Sequence, residues 1–287
     1  MTKKLLLLAA VFGGLMLSSA HAQEKTPITI ATDGAYAPWA FTEAGGKQVG
    51  YEIDLANEIC AKMQRKCDIV AQNFDGLIPA LNAGKFELIM AAMSVTEERQ
   101  KVVSFSDPYG MGVVSFVTKK DGALANLPAK GKLVFLDENP EQKALLVAEM
   151  AKSFDGKTIG VQGSTTNAAL LQTLFGSIAT IREYKSNEEL ELDLQAERVD
   201  AVLISATAGK VSLEKKGFEN YAFAGPLLST GKKDASIAAA FRKDEPELMK
   251  EYNEALASIA KSGKLKDLSL KWFGNDITPS AGFAAFE

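Results

Sequence analysis

Leu81-Asn82-Ala83-Gly84-Lys85-Phe86-Glu87-Leu88-Ile89-Met90 is echoed by Leu194-Gln195-Ala196-Glu197-Arg198-Val199-Asp200-Ala201-Val202-Leu203. Each stretch closes a helical pattern, turns at a basic residue, passes an acidic one and enters an apolar strand. Each strand then runs on to a serine, Ser94 or Ser205. Upstream of the first copy, Ile28 to Thr32 reads as a strand, Ile53 to Met63 as a helix, Cys67 to Ala71 as a strand and Gly76 to Asn82 as a helix. Upstream of the second, Thr158 to Gln162 and Ile181 to Tyr184 read as strands, Thr166 to Leu174 and Asn187 to Gln195 as helices. Alternation of this kind is α/β, and the chain runs the series twice. In open α/β sheets ligands gather at the carboxyl ends of strands, so the two serines are expected at matching positions of two lobes facing one cleft.

Residues 121 to 155 form the least regular part, broken by Gly122, Pro128, Gly131 and Pro140 before an amphipathic stretch from Glu141 to Phe154. They read as an elaboration on the second lobe. From Asp244 onward the pattern is strongly helical, ending at Gly274, and this tail is expected to return to the first lobe.

The start of the chain reads as an export leader spanning residues 1–22. Lys3 and Lys4 supply its positive end, Leu5 to Leu17 is an apolar run too short to span a bilayer, and Ala20-His21-Ala22 is a small-x-small cleavage site. The leader has no cysteine for a lipid anchor, so a free periplasmic protein is expected. Removing the leader from 287 residues leaves 265, with 30 basic residues facing 36 acidic ones, a formal charge of -6. That balance argues against nucleic acid as a partner. The only histidine, His21, leaves with the leader, which excludes His-based triads and His-ligated metals from the mature chain. No cofactor is expected. In an oxidising compartment Cys60 and Cys67 are expected to pair, tying a helix end to the next strand.

Several loops at strand ends carry usable chemistry. Thr32-Asp33-Gly34-Ala35-Tyr36 offers a carboxylate and an aromatic face, and Asn73-Phe74-Asp75 offers a second ring. Ser94-Val95-Thr96-Glu97 matches a capping box, which would start a helix at Ser94 and point its N–H groups at an anion, with Arg99 adding a planar fork. Gly163-Ser164-Thr165-Thr166 repeats the theme in the second lobe. The bland alternatives are a capped turn, core aromatics and an arginine paired on a helix surface.

Seven runs in order resemble the periplasmic polar-amino-acid-binding proteins of ABC importers, bacterial solute-binding protein family 3, over nearly the whole mature chain. They are Asp33-x-x-Tyr36-x-Pro38, Gly50-Tyr51-Glu52-Ile53-Asp54-Leu55, Phe74-Asp75-x-Leu77-Ile78-Pro79, Ser94-Val95-Thr96-x-x-Arg99, Phe105-Ser106-Asp107-Pro108-Tyr109, Gln162-Gly163-Ser164-Thr165 and Tyr221-Ala222-Phe223-Ala224-Gly225-Pro226. The likeness is to the lysine/arginine/ornithine-, histidine- and opine-binding branch. It implies a type II periplasmic-binding-protein fold, with lobe 1 from 23–112 plus 228–287 and lobe 2 from 113–227. It further implies two hinge strands near Gly112 to Phe116 and Ala222 to Leu228, and a monomer that delivers an amino-acid-like ligand to an inner-membrane permease.

Carried over, the resemblance has Tyr36 and Phe74 stacking on the ligand, Asp33 meeting a distal positive group and Arg99 pairing with the α-carboxylate. Ala91, Ala92, Ser94 and Val161 join the site from one side of each strand end, and Ser164, Thr165 and Thr166 complete the carboxylate pocket. A disulfide between Cys60 and Cys67 is implied as well. Two departures stand out: Ala91 and Ala92 replace serines, and Ser205 replaces the aspartate that holds the α-ammonium. An ammonium buried without a counter-charge costs several kcal/mol, so the ligand is expected to be opine-like, N-substituted, or to present its ammonium elsewhere; the milder alternative is a common cationic amino acid, for which Ser205 and backbone carbonyls suffice. Two other functions share the fold: a cyclohexadienyl dehydratase-like enzyme, for which Asp33 would be the only cleft carboxylate, and a sensor that presents its ligand to a membrane receptor.

Overall fold

The computed structural model describes residues 25–232 and 235–286, so the expected leader lies outside the described residues. The chain opens with β1 (Ile28–Thr32) and a small antiparallel sheet of β2 (Ala35–Tyr36), β3 (Ala40–Thr42) and β4 (Gln48–Val49). α1 (Tyr51–Met63), β5 (Cys67–Ala71), α2 (Phe74–Asn82), β6 (Leu88–Ile89), α3 (Glu97–Gln100) and β7 (Ser104–Met111) follow. Next come β8 (Val114–Lys119), β9 (Leu133–Phe135), α4 (Pro140–Phe154), β10 (Thr158–Gln162), α5 (Thr166–Phe175), β11 (Thr180–Tyr184), α6 (Asn187–Gln195), β12 (Ala201–Ser205), α7 (Ala206–Glu214) and β13 (Tyr221–Ser229). The chain then returns through β14 (Ser236–Phe241), α8 (Pro246–Lys261) and α9 (Lys264–Phe273). α1 and α2 each begin two residues earlier than their apolar patterns, at Tyr51 and Phe74.

Two main sheets result, in the orders β5-β1-β6-β14-β7 and β11-β10-β12-β8-β13-β9. In each, three parallel strands come first and an antiparallel neighbour follows, β14 in the first and β8 in the second. The repeated sequence has a repeated structural role. Glu87 accepts a hydrogen bond from the Thr29 N–H at 2.7 Å, and Asp200 accepts one from the Thr158 N–H at 2.8 Å. The backbone N–H of each acid in turn donates to the carbonyl of that threonine. In both sheets the acid of the echo thus closes the amino end of the neighbouring strand, leaving the carboxyl ends for other work.

Apolar burial follows the two sheets. Leu55 and Ile59 of α1 pack with Tyr252, Leu256 and Ile259 of α8 over one face of the first sheet, and Leu77, Leu81 and Phe86 cover the other. The second sheet carries Leu146, Phe154 and Phe175 on one face and Leu190, Leu194 and Phe218 on the other. The chain crosses between sheets at Gly112–Val113 and again between Thr230 and Ala235, where the Gly112 N–H donates to the Ala235 carbonyl at 2.8 Å. The second crossing therefore falls after the hinge expected at Ala222 to Leu228. That segment lies within β13, held by β8 on one side and by β9 out to Ser229 on the other. The extra pairing comes from the irregular 121–155 segment, which supplies β9.

The carboxyl-terminal tail touches both halves. The Met111 N–H on β7 donates to the Ile277 carbonyl, and Phe286 packs on the first core. Between these points Phe283 meets Phe135 of β9 with ring centroids 4.6 Å apart.

Cys60 and Cys67 form a disulfide across 6.1 Å between Cα atoms, joining the last turn of α1 to the first residue of β5. Replacing both with serine is expected to lower unfolding free energy by about 2 kcal/mol, from the short loop it closes. Urea unfolding measures this, and equal midpoints for the two proteins would contradict it.

Candidate functional site

A cavity of about 670 Å³ lies between the two sheets at the carboxyl ends of their strands. From the first sheet come Asp33 and Tyr36 after β1, Phe74 at the start of α2, and Ala91, Ala92, Ser94 and Arg99 after β6. The second sheet contributes Gln162, Thr165 and Thr166 after β10, Asn187 at the start of α6, and Ser205 at the end of β12. Ten of the twelve expected side chains line this one space. They come from positions up to 172 residues apart, Asp33 to Ser205.

Two of the expected twelve do not line it. Val161 is fully buried in the core of the second sheet, because strand residues alternate faces and Gln162 takes the cleft side. Ser164 is exposed in a left-handed turn at φ 59°, and only its carbonyl points inward. The capping box also needs correction. The chain is still extended at Ser94, which bridges to Ile237, and the Val95 N–H donates to the Ser236 carbonyl. The helix therefore starts two residues later, with the Thr96 hydroxyl accepting from the Arg99 N–H at 3.2 Å. With only four residues α3 carries little dipole, so any pull on an anion falls to Arg99.

The Arg99 guanidinium has no carboxylate partner among the described residues. Nη1 donates to the Ser94 carbonyl at 3.0 Å, Nη2 reaches the Ser164 carbonyl across the cleft at 3.4 Å, and the group lies 5.5 Å from the Phe74 ring centroid. Burial lowers its pKa to about 10, which leaves it charged at neutral pH. Asp33 is the opposite case: burial pushes its carboxyl up to about 6, against the hydrogen bond it accepts from Gln162 Nε2 at 3.1 Å. Glu188 and Asp75 add smaller upward pushes. Asp33 is not the only carboxylate here, since Glu97 and Asp137 also line the space, Asp137 paired with Lys143 at 3.0 Å.

Ser205 caps α7 by accepting from the Ala208 N–H at 3.2 Å, and its hydroxyl lies 3.0 Å from that of Thr207. Thr207 in turn accepts from Trp39 Nε1 of the first half at 3.0 Å. Tyr36 packs against the cores of both halves, and burial raises its hydroxyl to about 12 against the Ser205 contact. Trp39, Gln162, Asn187, Asp137 and Lys143 were not among the expected site residues. Gln162 had a signal, its place at a strand's carboxyl end beside Gly163. Asp137 and Lys143 had none, because they belong to the irregular segment.

Comparison with known proteins adds to this geometry. The model of the bacterial extracellular solute-binding proteins, family 3, matches residues 28–275. The octopine-binding periplasmic protein of Rhizobium meliloti is 42% identical over 297 residues, covering 97% of this chain and 100% of the relative. The lysine/arginine/ornithine-binding periplasmic protein of Escherichia coli is 32% identical over 280 residues, covering 96% and 99%. Among solved structures, an ancestral arginine-binding protein bound to arginine superposes with a TM-score of 0.74 at 26% identity, covering 88% of this chain and 100% of that one.

Behind the cavity wall, Glu52 of α1 accepts from the Ala92 N–H at 2.7 Å and from the Tyr109 hydroxyl, while its Oε2 has no hydrogen-bond partner among the described residues. Ala92 sits in the left-handed region at φ 46°, so the carboxylate holds a strained stretch of the wall. Burial raises the Glu52 carboxyl from 4.5 to about 7, against both hydrogen bonds. A raised folded pKa contributes stability below the unfolded value that is lost as pH rises to about 7. Glu52→Gln removes that dependence, so the melting temperature of the variant relative to wild type should climb between pH 5 and pH 8. A constant difference across that range would contradict the assignment.

Proposed function

The chain belongs to the bacterial extracellular solute-binding proteins, family 3, and on that footing we propose that it captures a small amino-acid-like solute between its two halves and hands it to a membrane permease of an ABC importer. The observation that carries the reading is the charge layout of the cavity. A half-buried guanidinium with no carboxylate partner among the described residues, Arg99, and a buried carboxylate, Asp33, line one space between two sheets. A zwitterionic or cationic solute satisfies both at once. In this reading Arg99 takes the carboxylate, with Ser94, Thr165 and Thr166 nearby, Asp33 takes a distal cation, and Tyr36 and Phe74 flank the chain between them.

The lobes are the two sheets with their helices, divided where the chain crosses. Binding shifts an open population to a closed one, which the permease recognises. The protein works as a monomer in the periplasm, delivered there by the leader at 1–22. Among the described residues no helix is long and apolar enough to cross a membrane.

The ligand carries a substituted nitrogen, as in an opine. Ser205 is a neutral hydroxyl already engaged by Ala208 and Thr207, and Asp200 lies at the other end of β12, bonded to Thr158. A secondary amine with an acidic substituent asks less of this wall than a free ammonium does. The 42% identity to an octopine-binding protein supports the same choice. For the dehydratase-like alternative, Asp33 has the raised pKa of a general acid, but it is hydrogen-bonded by Gln162 and the relatives reported above are named as binding proteins.

Calorimetric titration with octopine, arginine, lysine and histidine tests the reading. Octopine should bind, and tight binding of any of the three unsubstituted amino acids would remove the substituted-nitrogen part. Arg99→Ala should weaken binding about a hundredfold with the melting temperature little changed. An Arg99 with only a structural role would give near-normal affinity. Asp33→Asn should cost affinity about tenfold or more for ligands with a cationic end and leave neutral-ended ones nearly unchanged. Equal losses for both kinds would show that the distal end is not read as charge.

A further inference from the structure

Gln162 reaches Asp33 from the opposite half of the molecule, and the arrangement that holds it there is specific. Its Nε2 donates to Asp33 Oδ2 at 3.1 Å and lies 3.4 Å from the Lys185 carbonyl. On the other side of the amide, Oε1 accepts from Asn187 Nδ2 at 2.7 Å. The ionised Asp33 carboxylate only accepts, so the Gln162 N–H₂ faces it and Oε1 faces Asn187, whose N–H₂ donates to that oxygen and holds the amide in place. All three side chains are less than a tenth exposed. Of the surroundings that act on the Asp33 carboxyl, Gln162 is the one that favours its ionised form.

A carboxylate has two oxygens, and a guanidinium pairs best when it takes both in parallel. Here Oδ2 already accepts one hydrogen bond from the protein, while Oδ1 has no hydrogen-bond partner among the described residues and Asp33 lines the cavity. We propose that Gln162, oriented by Asn187, is a specificity-determining residue of the cleft: its bond takes up part of the accepting capacity of Oδ2, so that Oδ1 best meets a single N–H donor of the ligand and the second bond of a guanidinium fork is weakened. The distal end thereby accepts ammonium and guanidinium groups on nearly equal terms. This rests on the proposed capture of a cationic amino-acid derivative, since it concerns how that ligand's far end is read.

The test uses arginine and lysine, and the same two amino acids carrying an N-carboxyethyl group, titrated into wild type, Gln162→Leu and Asn187→Leu. In Gln162→Leu both Asp33 oxygens are free, so affinity for the guanidinium ligand relative to its ammonium partner should rise about tenfold. Asn187→Leu keeps the glutamine but frees its amide to swing, and should move the ratio the same way by about threefold. If Gln162→Leu does not fold, the ratio in Asn187→Leu decides. A purely structural role would weaken both ligands together, so a ratio within about twofold of wild type, where a hydrogen bond to a charged group should show clearly, overturns the proposal. Wild-type protein that binds none of the four ligands would sink the functional reading and this inference with it. Binding with an unchanged ratio would sink this inference alone.

Discussion

A guanidinium drawn partly out of water needs oxygen, and among the described residues Arg99 finds only backbone carbonyls, Ser94 on its own side and Ser164 on the other. Much of the site is organised around that shortfall. The stretch from Met93 to Val95, pinned to β14, sets where α3 can start and hence where Arg99 stands. The turn after β10 presents the Ser164 carbonyl toward the same region, while the Thr165 hydroxyl caps α5 and donates to the Gln162 carbonyl. A space enclosed by two sheets, with positive charge on one wall and Asp33 at another, suits a ligand that supplies the missing carboxylate.

The backbone plan makes this meeting possible. The first three strands of each sheet run parallel, so their carboxyl ends lie along one edge, and the acids Glu87 and Asp200 close the opposite edge. β14 enters the first sheet only after the chain has built the second, so the two halves are joined by two crossings. Gly112, hydrogen-bonded to Ala235, brings those crossings side by side.

Much of this was legible in the sequence, and what was not has physical causes. Strands and helices announced themselves through period, and residues at strand carboxyl ends followed from the α/β rule. The misassigned side of β10 was not legible, because Val161 and Gln162 are both buried and a strand covered on two faces lacks the alternation that separates them. Ser94 has every local feature of a cap, but pairing with β14, more than 140 positions away, keeps it extended. The bond between Gln162 and Asp33 spans 129 positions, and nothing near either residue signals it. Asp137 and Lys143 come from a segment with no regular pattern, so their place on the cavity wall depends on where β9 docks.

The ring contact between Phe283 and Phe135 has a bearing on affinity, although neither residue lines the cavity. It joins the tail, which is anchored on the first half, to an edge strand of the second, so it belongs to one relative orientation of the halves. An aromatic pair of this kind is worth about 1 kcal/mol, which is roughly a fivefold bias in a two-state equilibrium. A ligand that binds the favoured orientation inherits that bias in its apparent dissociation constant. In the two-state capture proposed above, this ring pair would therefore act as a fixed offset on affinity, the same for every ligand and independent of the chemistry that tells ligands apart.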